Sequence, residues 1–452
     1  MNANRPTIFA LATPPGKSGL AVMRVSGTRA STILSALTQG KPCPERMATL
    51  CNLYEKNEEK PFDHALVLWF KGPASFTGED VFELHLHGGP AIIDAASEAL
   101  LSLGAEPAGA GAFTRRAFEN AKLDLVQAEA VADLIDAQTR GQLEQAQRQL
   151  RGDLGALYGT WREDLTMIRA QIEACIDFPE EDDVMEDALA ALGPKVSTLM
   201  AQIDMHLQDH HRGERVREGL RIALIGKVNA GKSTLLNRLA GEEAAIVSDE
   251  PGTTRDVVRV RLNLGGFLVE LADTAGLRTS NHHIEIEGIK RARRTAKDAD
   301  IRILVVDAST PEAVEGDVLT LLRDGDFLVY NKCDMQSAKW PSANTVPGLE
   351  VSPHTLSARE GKGVDEFLKT LGARVVSLLG AQESPSLTRA RHRLALEDTK
   401  RALALCVDRL QDSPELAGEH LREAGAALGQ ITGEAGNEEV LGKIFSAFCI
   451  GK

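Results

Sequence analysis

Along this 452-residue chain the apolar positions change their spacing several times, and each change marks a change of element. Alternating or apolar runs at Thr7 to Ala12, Leu20 to Val25, His64 to Phe70 and Val81 to Leu86 predict strands. Turn signals such as Pro14-Pro15-Gly16 and Gly88-Gly89-Pro90 separate them, so a compact α+β unit is expected. After Phe113 the spacing lengthens. Leu123, Val126, Ala130, Val131 and Leu134 recur at helical intervals, and Gln/Glu/Arg-rich helical patterning reaches Ile176. A second helical stretch covers about Asp187 to His210, and Pro179-Glu180-Glu181-Asp182-Asp183 between the two reads as a solvated acidic loop. Residues 219–376 alternate strands with helices, the pattern of a doubly wound α/β domain. Helical patterning returns over Thr388 to Leu410, Pro414 to Gln430 and Glu438 to Phe448. The simplest organisation is an α/β multidomain chain: an α+β domain at 1–118, an all-helical domain split between 119–218 and 377–452, and a doubly wound domain inserted at 219–376.

Composition narrows the functional classes. A net charge of -14 disfavours a surface that binds polyanions unaided, so a nucleic-acid substrate would need a local basic patch or a partner. The six cysteines form no C-x-x-C pair, which points to neither a disulfide framework nor a zinc site. No apolar run has the length of a membrane span and no leader pattern precedes Thr7, so a cytoplasmic protein without membrane association is expected.

The chemistry is concentrated in the inserted domain. Gly226-Lys227-Val228-Asn229-Ala230-Gly231-Lys232-Ser233 is a complete G-x-x-x-x-G-K-S phosphate loop between the strand-like run 221–225 and the helix-like run 235–239. Backbone N–H groups of Asn229 to Thr234 face the phosphates in such a loop. Lys232 neutralises β/γ charge and the Ser233 hydroxyl reaches Mg2+. Downstream, Asp273-Thr274-Ala275-Gly276 follows an apolar strand, which suits Asp273 to the Mg2+ shell and the Gly276 N–H to sensing a γ-phosphate. Asn331-Lys332-Cys333-Asp334 follows another. The Asp334 carboxylate can accept both the ring and the exocyclic N–H of guanine, a pair that adenine lacks, so GTP is selected over ATP. Ser357-Ala358-Arg359 completes the base pocket.

Gly252-Thr253-Thr254-Arg255-Asp256 stands where a switch segment belongs, with Thr254 placed to cap Mg2+. Leu277 occupies the position where Ras-like enzymes carry a water-orienting Gln. The Asn229 side chain, together with switch-loop carbonyls, can hold a monovalent cation beside the phosphates and supply the charge that an arginine finger supplies elsewhere.

These motifs, with Asp273-Thr274-Ala275-Gly276-Leu277-Arg278 and the terminal Phe448-Cys449-Ile450-Gly451-Lys452, resemble the MnmE (TrmE) family of tRNA modification GTPases. Ala12-Thr13-Pro14-Pro15-Gly16, Arg24-Val25-Ser26-Gly27, Ser75-Phe76-Thr77-Gly78-Glu79-Asp80, His87-Gly88-Gly89-Pro90 and Lys122 to Ala130 extend the resemblance over essentially the whole chain. It implies a homodimeric, potassium-dependent GTPase acting with the FAD-binding subunit MnmG, in a heterotetramer or larger complex. The product implied is a (carboxymethyl)aminomethyl group at C5 of the wobble uridine of certain tRNAs, with carbon from 5-formyl- or 5,10-methylene-tetrahydrofolate. The N-terminal domain becomes a folate-binding and dimerisation domain, with Arg24, Glu83, Lys122 and Lys452 as folate contacts. The resemblance also assigns potassium to the Asn229 side chain and to backbone oxygens of Ser248, Glu250 and Thr253, and Mg2+ to Ser233 and Thr254. Glu285 matches the glutamate that orients the attacking water indirectly, which makes Glu285, Asn229 and Lys232 the catalytic set.

Several residues read more plainly. Cys449 is expected to be a small buried packing residue beside Phe448 and Ile450, and His85 and His87 to alternate on one strand face as structural or substrate-lining groups. Val228, Pro251 and Gly109 to Thr114 depart from the family's pattern without removing a ligand. Two other readings stand beside the leading one: a ribosome-assembly GTPase, which usually carries a second GTPase unit or a basic RNA-binding module, and a GTP-binding scaffold without turnover.

Overall fold

In a computed structural model the protein is described over residues 5–177, 182–242, 244–246, 259–273, 293–310, 319–335, 348–380, 385–434 and 438–452, with side chains of 182–188 excepted. The chain divides into two compact units. One comprises Met1–Ile135, Gln147–Asp204 and Leu394–Lys452; the other comprises Asp136–Ala146 and Met205–Arg393.

The first unit begins with six strands: β1 (Ile8–Leu11), β2 (Ala21–Ser26), β3 (Thr49–Leu53), β4 (Asp63–Phe70), β5 (Val81–Leu86) and β6 (Glu106–Pro107). They form one sheet in the order β3-β4-β5-β2-β1-β6, antiparallel except for β1 with β6. Period-two alternation in β2 and β4 sends Met23, Val25, Ala65 and Val67 to one face, where helices Ala30–Leu37 and Pro90–Ser102 bury them. Four of these strands follow the expected apolar runs. The short β3 and β6 escape the pattern because β3 alternates polar residues with only Cys51 and Leu53 buried, and β6 has two exposed residues.

Beyond the sheet the first unit is helical. Helix Asp153–Asp177 buries Leu154, Tyr158, Trp161, Leu165, Ile168 and Ile172, spaced alternately by three and four, along helix Pro414–Thr432. That helix returns Ala417, Leu421, Ala424, Leu428 and Ile431. Each large side chain so buried contributes about 1.5–3 kcal/mol. One expectation needs correction. Asp182 and Asp183 belong to helix Asp182–Leu207 rather than to a loop, since acids are favoured in a helix's first turn. The helix carries Pro194 inside it.

The second unit is built on β7 (Leu220–Ile225), β8 (Arg259–Leu264), β9 (Phe267–Asp273), β10 (Ile301–Asp307), β11 (Phe327–Asn331) and β12 (Ser352–Thr355). The order is β12-β11-β10-β7-β9-β8, parallel except for the β8–β9 pair. Both faces are covered. Ile222, Leu224, Ile303, Val305 and Val329 pack with Leu235, Leu239, Phe367 and Leu371 on one side. Ala223, Ile225, Leu304 and Leu328 pack with Ala296, Ala299 and Leu322 on the other. The near-continuous apolar runs Ile222 to Ile225, Ile303 to Val306 and Phe327 to Tyr330 follow from that double burial. They also push polar chemistry to the carboxyl ends of the strands, where ligands of such sheets bind.

Candidate functional site

Strand β7 ends at Ile225 and turns at once into the phosphate loop. Gly226 has φ 139°, and a Cβ on it would lie 2.2 Å from the Val305 carbonyl oxygen. Gly231 has φ 95°, where a Cβ would lie 2.1 Å from Asn331 Nδ2. Only glycine satisfies both demands, of backbone angle and of close approach. The loop then delivers helix Lys232–Ala240, whose first N–H groups have no partner within the helix and suit an anion.

Lys232 is only 4% exposed, and its Nζ donates to the Gly226 and Lys227 carbonyls at 2.8 and 2.7 Å. Burial pushes its pKa down, and Asp273 pulls it part of the way back. Ser233 Oγ donates to Asp273 Oδ2 at 2.6 Å. A hydroxyl and a carboxylate converging there are hard oxygen donors of the kind that Mg2+ takes. Asn229 stands exposed at φ 64°, on the loop's outer edge.

The base loop is joined to the phosphate loop by one amide. Asn331 is buried at the end of β11; its Nδ2 donates to the Ala230 carbonyl at 2.9 Å and its Oδ1 accepts from the Ala358 N–H at 2.9 Å. Asp334 is exposed beside it. A hydrogen bond from the Ser357 hydroxyl, then its own backbone N–H and the charges of Arg359 and Lys332, hold its carboxyl below the usual range. It is therefore an ionised acceptor at neutral pH. Lys332 turns away at φ 66° and its Nζ donates to Asp307 Oδ2 at 2.6 Å.

The structure thus gathers Ala230, Gly231, Lys232, Ser233, Thr234, Asp273, Asn331, Lys332, Asp334, Ser357, Ala358 and Arg359 around the carboxyl ends of β7, β9, β10 and β11. Ser248, Glu250, Thr253, Thr254, Thr274, Ala275, Gly276 and Glu285 lie outside the described residues. Asp307 and Ser309 were not anticipated. The signal was present: an acid closes the apolar run of β10 as Asp273 closes that of β9.

In the first unit Arg24 and Glu83 are cross-strand partners in the β2–β5 register, with Nε and Nη2 at 2.9 and 2.8 Å from Glu83 Oε1. Arg24 Nη1 also donates to the Gly451 carbonyl at 3.4 Å, and its guanidinium lies 5.7 and 5.8 Å from the ring centres of Phe76 and Phe113. The chain end is docked by the Phe113 N–H, which donates to the Lys452 carbonyl at 3.1 Å. Burial, then the like charge of Arg24, pushes the Lys452 amine's pKa down, while Glu83 opposes them. Lys122 donates to the Pro73 carbonyl at 3.1 Å, on the loop that carries Phe76.

Two expectations are corrected here. Cys449 is exposed: Phe448 turns inward onto Phe445, with ring centres 5.5 Å apart, and leaves Cys449 and the 65% exposed Ile450 outside. His87 lies past the end of β5, where its Nδ1 meets Asp63 Oδ1 at 2.7 Å, while His85 Nε2 is 3.6 Å from Glu83 Oε2. The two histidines serve different partners.

The family model described as MnmE helical domain matches residues 125–449, well over half of the chain. The chain belongs to the MnmE family. A second model, described as GTP-binding protein TrmE N-terminus, matches residues 7–122. Similar relatives carry the same description throughout. The tRNA modification GTPase MnmE of Maricaulis maris is 49% identical, covering 99% of this chain and 99% of that protein. The one of Parvibaculum lavamentivorans is 48% identical over 99% of this chain and 100% of the relative. Among solved structures, Aquifex aeolicus Era bound to GDP.AlF4- is 26% identical, covers 41% of this chain and 67% of that chain, and superposes with a TM-score of 0.26. A superposition that weak carries no argument.

Proposed function

We propose that this chain is a GTP hydrolase that takes part in tRNA modification. The observation that carries the reading is the Asn331 amide, which bridges Ala230 of the phosphate loop to Ala358 of the base loop. It joins the phosphate loop to the base loop that carries the purine acceptor Asp334. In this pocket the buried Lys232 ammonium leaves its two carbonyl partners for phosphate oxygens, and Ser233 with Thr254 would hold Mg2+, with Asp273 reaching its shell. When bound, Mg2+ and a potassium ion supply positive charge against the charge that develops on the transferring phosphoryl group. Asn229 would hold the potassium ion with Ser248, Glu250 and Thr253, and Glu285 would orient water in place of the Gln that Leu277 displaces.

The finer reading places the target at C5 of the wobble uridine. The partners are the FAD-binding MnmG subunit and a second copy of this chain, and the site of action is the cytoplasm. Residues 1–118 would bind the one-carbon tetrahydrofolate through Arg24, Glu83, Lys122 and Lys452. Residues 119–218 and 377–452 would form the helical domain around a GTPase domain at 219–376.

The pocket reading is tested by titrating the full-length protein with GTP and ATP in calorimetry. GTP alone should bind, and equal uptake of ATP would end the reading. Exchanging potassium for sodium should slow phosphate release; an unchanged rate would remove the cation role of Asn229. Mass spectrometry of wobble uridines from cells lacking the chain should show the modification lost.

A further inference from the structure

The carboxyl end of β10 carries an acid for which neither the phosphate-loop nor the base-loop motif has a place. In the parallel register Asp307 lies opposite Asn331, so the next residue, Lys332, leaves β11 beside the Asp307 carboxylate. Lys332 adopts the left-handed backbone, φ 66°, and its Nζ donates to Asp307 Oδ2 at 2.6 Å. The other carboxylate oxygen is fixed as well: Oδ1 accepts from the Ser309 N–H at 2.9 Å and from its hydroxyl at 2.6 Å. The Ala308 N–H donates to the Asn331 carbonyl at 2.8 Å, which closes the two strand ends on each other. The paired side chains are 34% and 21% exposed, so water screens the pair only in part.

We propose that Asp307 is a positioning residue for purine recognition: it tethers the Lys332 ammonium so that the four-carbon stem is already ordered when a guanine docks beside Asp334. This rests on the GTP reading given above. A free lysine stem carries substantial rotamer entropy, which binding would have to remove; a tethered one has lost it during folding. Preorganisation of that kind raises affinity without adding a contact to the ligand. It acts on base and ribose recognition, so it is felt equally by GTP and GDP. Burial pushes the Asp307 carboxyl up, but Lys332 and the Ser309 hydroxyl and N–H outweigh it and leave the group ionised at neutral pH.

The test is a double-mutant cycle in the full-length protein. Affinities for GTP and GDP and the kinetics of GTP hydrolysis are measured for the wild type, Asp307→Asn, Lys332→Met and the double variant. Asp307→Asn should weaken GTP and GDP alike by about three- to tenfold, with KM rising and kcat falling less than about twofold. The double variant should bind no more weakly than Lys332→Met alone, because the carboxylate acts only through the lysine. Losses that multiply, or an Asp307→Asn affinity equal to the wild type's, would overturn the inference. If thermal melting shows Asp307→Asn to be unfolded, Ser309→Ala, which removes the hydroxyl bond to Oδ1 and keeps the backbone N–H one, should give a smaller shift of about twofold that vanishes in the Lys332→Met background. A twofold shift that persists in that background counts against the tether. A wild type that fails to prefer GTP to ATP defeats the GTP reading itself, whereas a GTP-selective wild type with multiplying variants defeats only the role of Asp307.

Discussion

The two sheets hold charge in opposite ways. The sheet of the second unit is covered on both faces along its central strands; Arg221, Arg261 and Glu270 keep exposed or half-exposed positions in β7, β8 and β9, and one charged residue is buried in mid-strand. The antiparallel sheet of the first unit leaves part of one face open over β3 and β4, where Leu50 and Leu66 are 48% and 44% exposed. On that same side its Arg24–Glu83 pair sits in mid-strand. The exception proves instructive. Arg302 lies inside β10 at 1% side-chain exposure and is fully partnered: its guanidinium donates to Asp326 Oδ1 and Oδ2 at 3.4 and 3.3 Å and to the carbonyls of Ala296 and Ala299. A doubly covered sheet tolerates a charge only with its partners complete, whereas a half-open one can present a charge pair to a ligand.

Substitutions can break this contrast, beginning with the largest effect. Removing the buried partner by Asp326→Ala should cost about 3–5 kcal/mol of stability, because the Arg302 charge is left uncompensated. The parallel change Glu83→Ala, at a pair whose side chains keep 15% and 17% exposure, should cost less, about 1–3 kcal/mol. Denaturant melts of the two variants compare them directly, and equal losses would dissolve the distinction. Next comes Gly226→Ala, where a Cβ meets the Val305 carbonyl and φ is positive. GTP affinity by calorimetry should fall by about a hundredfold, as strain of 1–3 kcal/mol adds to the displaced loop. Deleting Gly451 and Lys452 removes the acceptor of Arg24 Nη1 and the terminal amine. On the proposed folate reading, tetrahydrofolate binding should then weaken by about tenfold, roughly one charge-assisted hydrogen bond, while GTP hydrolysis stays within about twofold.

The smallest effect sharpens the contrast by pH. Asp307 is held below the ordinary carboxylate range in the folded protein, so its contribution is present above that range and is lost as pH falls through the folded value. Acid melts of the wild type should therefore steepen relative to Asp307→Asn at the low end of the carboxylate range. Identical acid limbs would mean that the Lys332 pair stabilises nothing.

How much of this was legible in the chain follows from the range of the contacts. The phosphate loop, its leading strand and its helix are one continuous stretch whose glycines are needed within a few residues, so residues 221–239 could be read without a structure. Asn331 and Asp334 were visible for the same reason. The exposure of Cys449 was not, because it depends on where Phe448 finds Phe445. Nor was the start of the helix at Asp182, since an acidic run serves equally as loop or as first turn.

The chain's periodicity and short motifs determined by themselves that there are strands, helices and a phosphate-gripping loop, and in what order. Only the tertiary structure decided which distant groups meet. Arg24 and Gly451 are 427 positions apart, and Asp307 reaches Lys332 only through the β10–β11 register. The physical reason is that backbone angles and local burial are properties of a few neighbouring residues. Strand register and the docking of a chain end are instead set by the whole hydrophobic core closing at once.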